Sequence, residues 1–187
     1  MIKSLKLASA IIGATLLFTS CKDCDTTVIQ VADDEAEWLV YDRNDSVTFI
    51  NEKAEEVLFV NTLLNAQQVP GEGFNVSDDC IERYDMQAMS IIQNTQRSYP
   101  GLATYFLKRP DTFEVILLVE NQGEYTIDET QPTYPSLDVN NTLYTNVFEV
   151  TNPDGSKATN MKRLLFNKEF GFISVEYYDG KKLELKS

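Results

Sequence analysis

Asp179-Gly180 is the dipeptide that most narrows what this chain can fold into. It stands between Ile173, Val175 and Tyr177 on one side and Leu183 and Leu185 on the other. Apolar residues at every second position give an extended segment one buried face, and Asp-Gly tolerates the positive φ that a tight hairpin turn requires. The same pattern recurs upstream. Residues 46–50 put Val47 and Phe49 on one face, and a charged connection leads to a second apolar run at 57–63, so the two are predicted to form a hairpin. Residues 102–107 and 113–119 are separated only by a turn around Pro110, which makes them antiparallel neighbours. The 113–119 run is the most apolar after the leader, and its two apolar faces predict a central strand covered on both sides.

The remaining segments are read in the same way. Residues 86–93 fit a helical stripe (Met86, Met89, Ile92) or a strand, and their place between two turns favours the strand. Further strands are expected at 143–150, 161–166 and 171–178. Pro70, Gly71 and Gly73 mark 65–79 as loop, and Pro132 and Pro135 mark 123–141 as the longest irregular stretch. Asp33 is the expected N-cap of a short helix near 33–37. Many short strands without a long helix predict an all-β fold. It would be a single antiparallel domain, a β-sandwich or an open curved barrel.

The first twenty residues read as a secretory leader. Lys3 and Lys6 form its positive start, and residues 7–18 its apolar stretch. That stretch is about 12 residues, where a spanning helix needs about 20. It ends in Phe18-Thr19-Ser20-Cys21, which resembles the lipobox of bacterial lipoproteins, with Phe18 replacing the usual Leu or Val. The resemblance implies cleavage before Cys21 and lipid (palmitate-type) attachment to it. The expected organisation is a signal peptide at 1–20, an acidic tether at 21–37 and the β domain at 38–187.

Charge and residue types exclude several function classes. The chain has 16 basic and 29 acidic side chains, a formal charge of −13. The leader holds two of the lysines and no acid, so the charge without it is −15. Such a chain repels phosphate backbones, and nucleic acid is not an expected partner. No histidine is present, which removes Ser-His-Asp and Cys-His catalysis and the commonest zinc ligand. No cofactor or metal is expected. With Cys21 assigned to lipid, Cys24 and Cys80 remain, either as a disulfide in an exported protein or as two thiols.

Several segments together resemble a family. They are Tyr41 with Ser46-Val47-Thr48-Phe49-Ile50-Asn51, the run from Tyr144 to Val150, and the ending from Phe166 through Asp179-Gly180 to Leu185. They resemble the small outer-membrane lipoproteins of unknown function found in Bacteroides-group bacteria. The lysine and acids that follow Cys21 resemble the surface-export signal of the same group. Asp25-Thr26-Thr27 and Asp45-Ser46-Val47 resemble its three-residue O-glycosylation site, which would modify Thr26 and Ser46. The resemblance implies an outer-membrane location, exposure on the cell surface and a lipid-anchored β domain. It brings no catalytic residues with it.

Chemistry inside the domain is sparsely marked. Tyr99, Tyr105, Tyr125, Tyr134 and Tyr144 lie in or beside expected loops, Tyr125 and Tyr134 in the longest one, where aromatic rings can stack on a sugar or anchor a protein partner. Asp33-Asp34-Glu35, Glu37 and Asp78-Asp79 are candidate acids for hydrolysis, although neighbouring acids are expected in so acidic a chain. Asp42, Asn44 and Asp45 read as a turn, because the glycine and distal glutamate of a calcium loop are missing. The leading expectation is a non-enzymatic binding or accessory domain for a glycan or protein, with no catalytic residue. A carboxylate-dependent hydrolase and an open-barrel carrier of an apolar ligand are the alternatives.

Overall fold

The computed structural model describes residues 25–186. One helical turn, α1 (Asp33–Ala36), accompanies twelve strands. These are β1 (Thr27–Val28), β2 (Ser46–Asn51), β3 (Glu56–Pro70), β4 (Arg83–Asn94), β5 (Leu102–Lys108) and β6 (Phe113–Val119), then β7 (Gly123–Ile127), β8 (Tyr134–Val139), β9 (Thr142–Thr151), β10 (Met161–Asn167), β11 (Gly171–Tyr177) and β12 (Lys182–Leu185). They form one sheet in the order β7-β6-β5-β4-β3-β2-β12-β11-β10-β9-β8. The fold is all-β as expected, a single antiparallel sheet curled into a half-barrel. The exception is β1, which pairs with β4 in parallel.

The topology follows from hairpins. Each strand from β2 to β7 pairs with the next, as does each from β8 to β12, and β12 returns to pair with β2. Alternate connections therefore fall at one end of the roll: 52–55, 95–101, 120–122, 152–160 and 178–181. The expected hairpins β2–β3, β5–β6 and β11–β12 are all present, and residues 86–93 lie in β4. The two ends of the sheet path meet across a seam, where β7 touches β9. Gln122 clasps that seam. Its amide donates to the Thr159 carbonyl at 3.0 Å and accepts from the Met161 N–H.

The concave side is filled from both halves of the sheet. Phe49, Phe59, Leu102, Leu117, Phe166 and Phe172 are all buried there, and Phe49 meets Phe59 edge-on at 5.1 Å. The end of the roll away from the 95–101 loop is closed by the segment before β2. Trp38 packs on Phe148 and Phe166 with centroids at 5.3 and 6.1 Å. The Tyr41 carbonyl accepts from Asn61 and from Ser90, at 3.0 and 2.9 Å, and its hydroxyl accepts from the Phe172 N–H at 2.9 Å. The Lys108 ammonium reaches Glu35 of α1 at 2.6 Å.

Five expectations are corrected. Residues 25–37, assigned to a tether, are docked on the sheet through β1, Val31 and Glu35. Backbone bonds of β1, Val31 against the core and two ion pairs, Glu35–Lys108 and Glu37–Lys168, hold this acidic segment, and they leave its linker-like composition undisturbed. The α1 N-cap is Ala32, whose N–H is satisfied by the Glu35 carboxylate at 2.9 Å, so Asp33 is the first helical residue. Strand β3 runs on through residues 65–70, paired with β4. This part of β3 projects past β2 and is largely exposed on both faces, so nothing requires its residues to alternate. The stretch 123–141 holds β7 and β8; Pro135 is tolerated because β8 is an edge strand.

The strand covered on both faces is β11, not β6. In β6 Val115, Leu117 and Val119 are buried, while Ile116 and Leu118 are only half-buried one place from the sheet's edge. Over β10 and β11 the β8–β9 hairpin folds back, helped by Asn146 at a φ of 52°. Tyr144, Val147, Leu165 and Ile173 form a second small core beneath it.

A half-buried charge group locks that hairpin down. The Tyr134 hydroxyl donates to Glu149 at 2.6 Å, and Arg163 donates to the same carboxylate at 2.8 Å. Burial draws the Glu149 carboxyl upward, but the bonds from Arg163 and Tyr134 outweigh it and hold it below the ordinary 4.5. A depressed folded value gives stability that is complete above the unfolded value and is lost as pH falls through the folded one. The urea midpoint is expected to drop more in the parent than in Glu149→Gln between about pH 6 and about pH 3. Equal drops in the two proteins would show that this carboxylate is not linked to folding.

Candidate functional site

The connections 95–101, 120–122, 152–160 and 178–181 surround a cleft of about 530 Å³ at the open end of the roll. That volume lies in the range of small-ligand sites. Its aromatic wall is Tyr99 and Tyr177, whose ring centroids are 6.3 Å apart. Tyr99 is held by the loop after β4, in which the Asn94 side chain accepts from the Ser98 N–H at 2.8 Å. Tyr177 is the last residue of β11, 5% exposed, where the strand meets the Asp179-Gly180 turn. Gly180 takes a φ of 84° there, and the Tyr177 N–H donates to the Lys181 carbonyl at 2.9 Å.

The Tyr177 hydroxyl is the unusual group. It is buried and has no hydrogen-bond partner among the described residues. Burial, with Tyr99 and Asp179 nearby, pushes its phenol well above the ordinary tyrosine range. A neutral O–H donor without a partner therefore belongs to a residue that lines the polar cleft. Leaving such a group unsatisfied costs about 1–3 kcal/mol, which a bound water or ligand atom would offset.

The charges of the cleft are unevenly engaged. Glu120 accepts from the Gly101 N–H at 2.8 Å, and Asp179 pairs with Lys181 at 3.1 Å. Burial draws the Asp179 carboxyl up, but the Lys181 N–H and ammonium outweigh it and hold it low. Arg97 and Lys157 also line the cleft, and neither has a carboxylate within ion-pair distance among the described residues.

Of the tyrosines singled out from the sequence, Tyr99 lines this cleft, and Tyr105, Tyr125, Tyr134 and Tyr144 do not. Tyr125 lies on β7, half-buried against the main core, and its hydroxyl donates to the Gln122 carbonyl at 3.2 Å. Tyr134 sits over the second core with its hydroxyl on Glu149. Both are committed to the fold because the stretch taken for loop is strand. Tyr177 escaped notice for the opposite reason. It continues the alternation of Ile173 and Val175 and reads as core until the turns around it are placed in space.

Other candidates fall elsewhere. Thr26 and Ser46 are exposed, and the Thr26 hydroxyl donates to the Ile81 carbonyl at 3.0 Å. Cys80 is disulfide-bonded. Its partner is outside the described residues, as are Cys21, Cys24 and the whole leader. Residues 42–45 form a turn closed by the Asp45 N–H on the Asp42 carbonyl at 3.0 Å. Asp78 and Asp79 line a second, open cleft of about 1080 Å³ with Glu72, Glu82 and Arg83. No cluster of three acids or cysteines among the described residues is placed to hold a metal ion.

No family model, curated protein or solved structure matches the chain. The functional reading therefore rests on the cleft and on the sequence.

Proposed function

We propose that the protein is a lipid-anchored, non-enzymatic binding domain of the bacterial outer membrane, and that the cleft at Tyr99 and Tyr177 is its ligand site. The observation that carries the site is a cleft lined by Tyr99 and by Tyr177, whose buried hydroxyl has no partner among the described residues. The anchor rests on the lipobox-like Phe18-Thr19-Ser20-Cys21. With Cys21 acylated, Cys24 is the cysteine left to pair with Cys80, and this bond would hold the domain close to its anchor. The bound class is a glycan or a protein segment, both of which exploit tyrosine faces.

The alternatives are less well supported. A hydrolase of the two-carboxylate type needs one carboxyl held protonated. In the cleft, Asp179 is held low instead. A carrier of an apolar ligand needs interior space, which Trp38, Tyr41, Phe49 and Phe166 occupy.

Cells grown with a radioactive fatty acid are expected to label the protein, and Cys21→Ser is expected to abolish the label and release the chain into the aqueous fraction. Unchanged membrane retention in Cys21→Ser would overturn the anchor. For the site, the full-length chain in detergent is screened against a glycan array. Signal that is lost on Tyr99→Ala supports the cleft as the ligand site, and signal indifferent to that change refutes it.

A further inference from the structure

The geometry points to a sugar unit carrying an anionic group, carboxylate or sulfate, as the ligand of this cleft. The inference rests on the binding-domain reading above and specifies its ligand.

Acids outnumber bases 29 to 16 along the chain, and most described lysines and arginines lie within 4.0 Å of a carboxylate. Arg97 and Lys157 do not, and they line the same cleft from two different loops, 95–101 and 152–160. In a chain with acids to spare, two cations outside ion-pair distance of any carboxylate and lining one concavity favour a local positive site, although Asp154 is an electrostatic neighbour of Lys157. The two carboxylates that share the cleft are already engaged, by the Gly101 N–H and by Lys181. The lining as a whole carries three cations, Arg97, Lys157 and Lys181, against the two carboxylates Glu120 and Asp179, so an entering anion meets a small excess of positive charge. A guanidinium and an ammonium together favour a carboxylate or sulfate through charge-assisted hydrogen bonds.

The remaining walls suit the sugar ring. Tyr99 is half-buried, so part of its side chain is open to solvent at the cleft. Asn121, Asn160 and Thr159 bring amide and hydroxyl groups that can exchange hydrogen bonds with sugar hydroxyls. The buried Tyr177 O–H, lacking a partner, has a bond to give to a ligand group that displaces its cover. The net negative charge of the whole domain repels a long polyanion, so a short acidic oligosaccharide or a chain end is the ligand rather than a polymer lying across the surface.

The test is isothermal titration of the full-length protein in neutral detergent with three trisaccharides: an unsubstituted hexuronate, a sulfated hexose and the neutral hexose. One or both charged sugars are expected to bind at least about tenfold tighter than the neutral one, with affinity falling as salt rises. Which charged arm binds names the anionic group. Arg97→Gln combined with Lys157→Gln is expected to remove that preference, so that charged and neutral sugars bind the variant alike. Tyr177→Phe separates site from scaffold: it should weaken the charged sugar several-fold without lowering the urea midpoint, because it deletes a buried hydroxyl that the free protein leaves unpaired. Equal affinity for all three sugars would overturn the acidic-sugar assignment and leave the binding site standing. Binding of none of them, with the protein folded by circular dichroism, would overturn both.

Discussion

Trp38→Ala is expected to destabilise the domain by about 3–5 kcal/mol, the range for removing a large buried aromatic side chain. Trp38 is 5% exposed, and its ring is enclosed by Phe148 from β9 and Phe166 from β10. The Lys168 ammonium stands 5.6 Å from the ring centre and pairs with Glu37 at 3.2 Å, which closes the outer side. The residue belongs to no strand. Its removal would leave a cavity where the segment before β2 plugs the roll, and the strands around it cannot collapse without breaking their ladders. Equilibrium urea unfolding followed by circular dichroism measures the loss, since Trp38 is the chain's one tryptophan and its fluorescence is absent from the variant. A loss below about 1 kcal/mol would mean that the plug is not part of the cooperative unit.

Gly171→Ala is the second large effect, expected at about 2–4 kcal/mol from overpacking combined with a left-handed backbone. Gly171 has a φ of +80°, and a Cβ there would overlap the Tyr41 hydroxyl and ring. The close approach is built into the fold. Tyr41 reaches from before β2 to the start of β11, where its hydroxyl accepts from the Phe172 N–H and its ring stacks on Phe172 at 6.2 Å. A double-mutant cycle with Tyr41→Ala separates the two causes. Removing the ring should relieve the overlap and leave only the backbone cost, so the double variant should be more stable than the sum of the singles implies. Strict additivity would show that Tyr41 and Gly171 do not press on each other.

Both effects concern a segment whose importance the sequence hid. Trp38 and Tyr41 follow an acidic run with the composition of a linker, and the partners of their rings lie more than a hundred residues away. The strands themselves were more legible. Val47 with Phe49, the two faces of 113–119 and the Asp179-Gly180 turn each carry a local signal, because a half-buried strand demands alternation and a tight turn demands particular residues. Where that demand lapses the signal does too. Residues 65–70 are strand with both faces largely exposed, and β8 accepts Pro135 at an edge.

The site was less legible than the fold. Tyr125 and Tyr134 seemed available because prolines and polar residues around them imitate a loop, yet both hydroxyls are used within the domain. Tyr177 seemed structural because it keeps the period of its strand. Arg97 and Lys157 are two unremarkable cations among sixteen basic residues, sixty positions apart.

The sequence by itself determined the all-β class, the antiparallel hairpins and the acidic surface, since these depend on residue type and near neighbours. Tertiary structure alone decided that the sheet rolls up until its seam is clasped by Gln122, that β11 rather than β6 is covered on both faces, and that Trp38 and Tyr41 fill one end. It also decided that Tyr99, Tyr177, Arg97 and Lys157 share a cleft at the other. Curvature and closure bring together residues distant along the chain, and no local pattern encodes such a meeting.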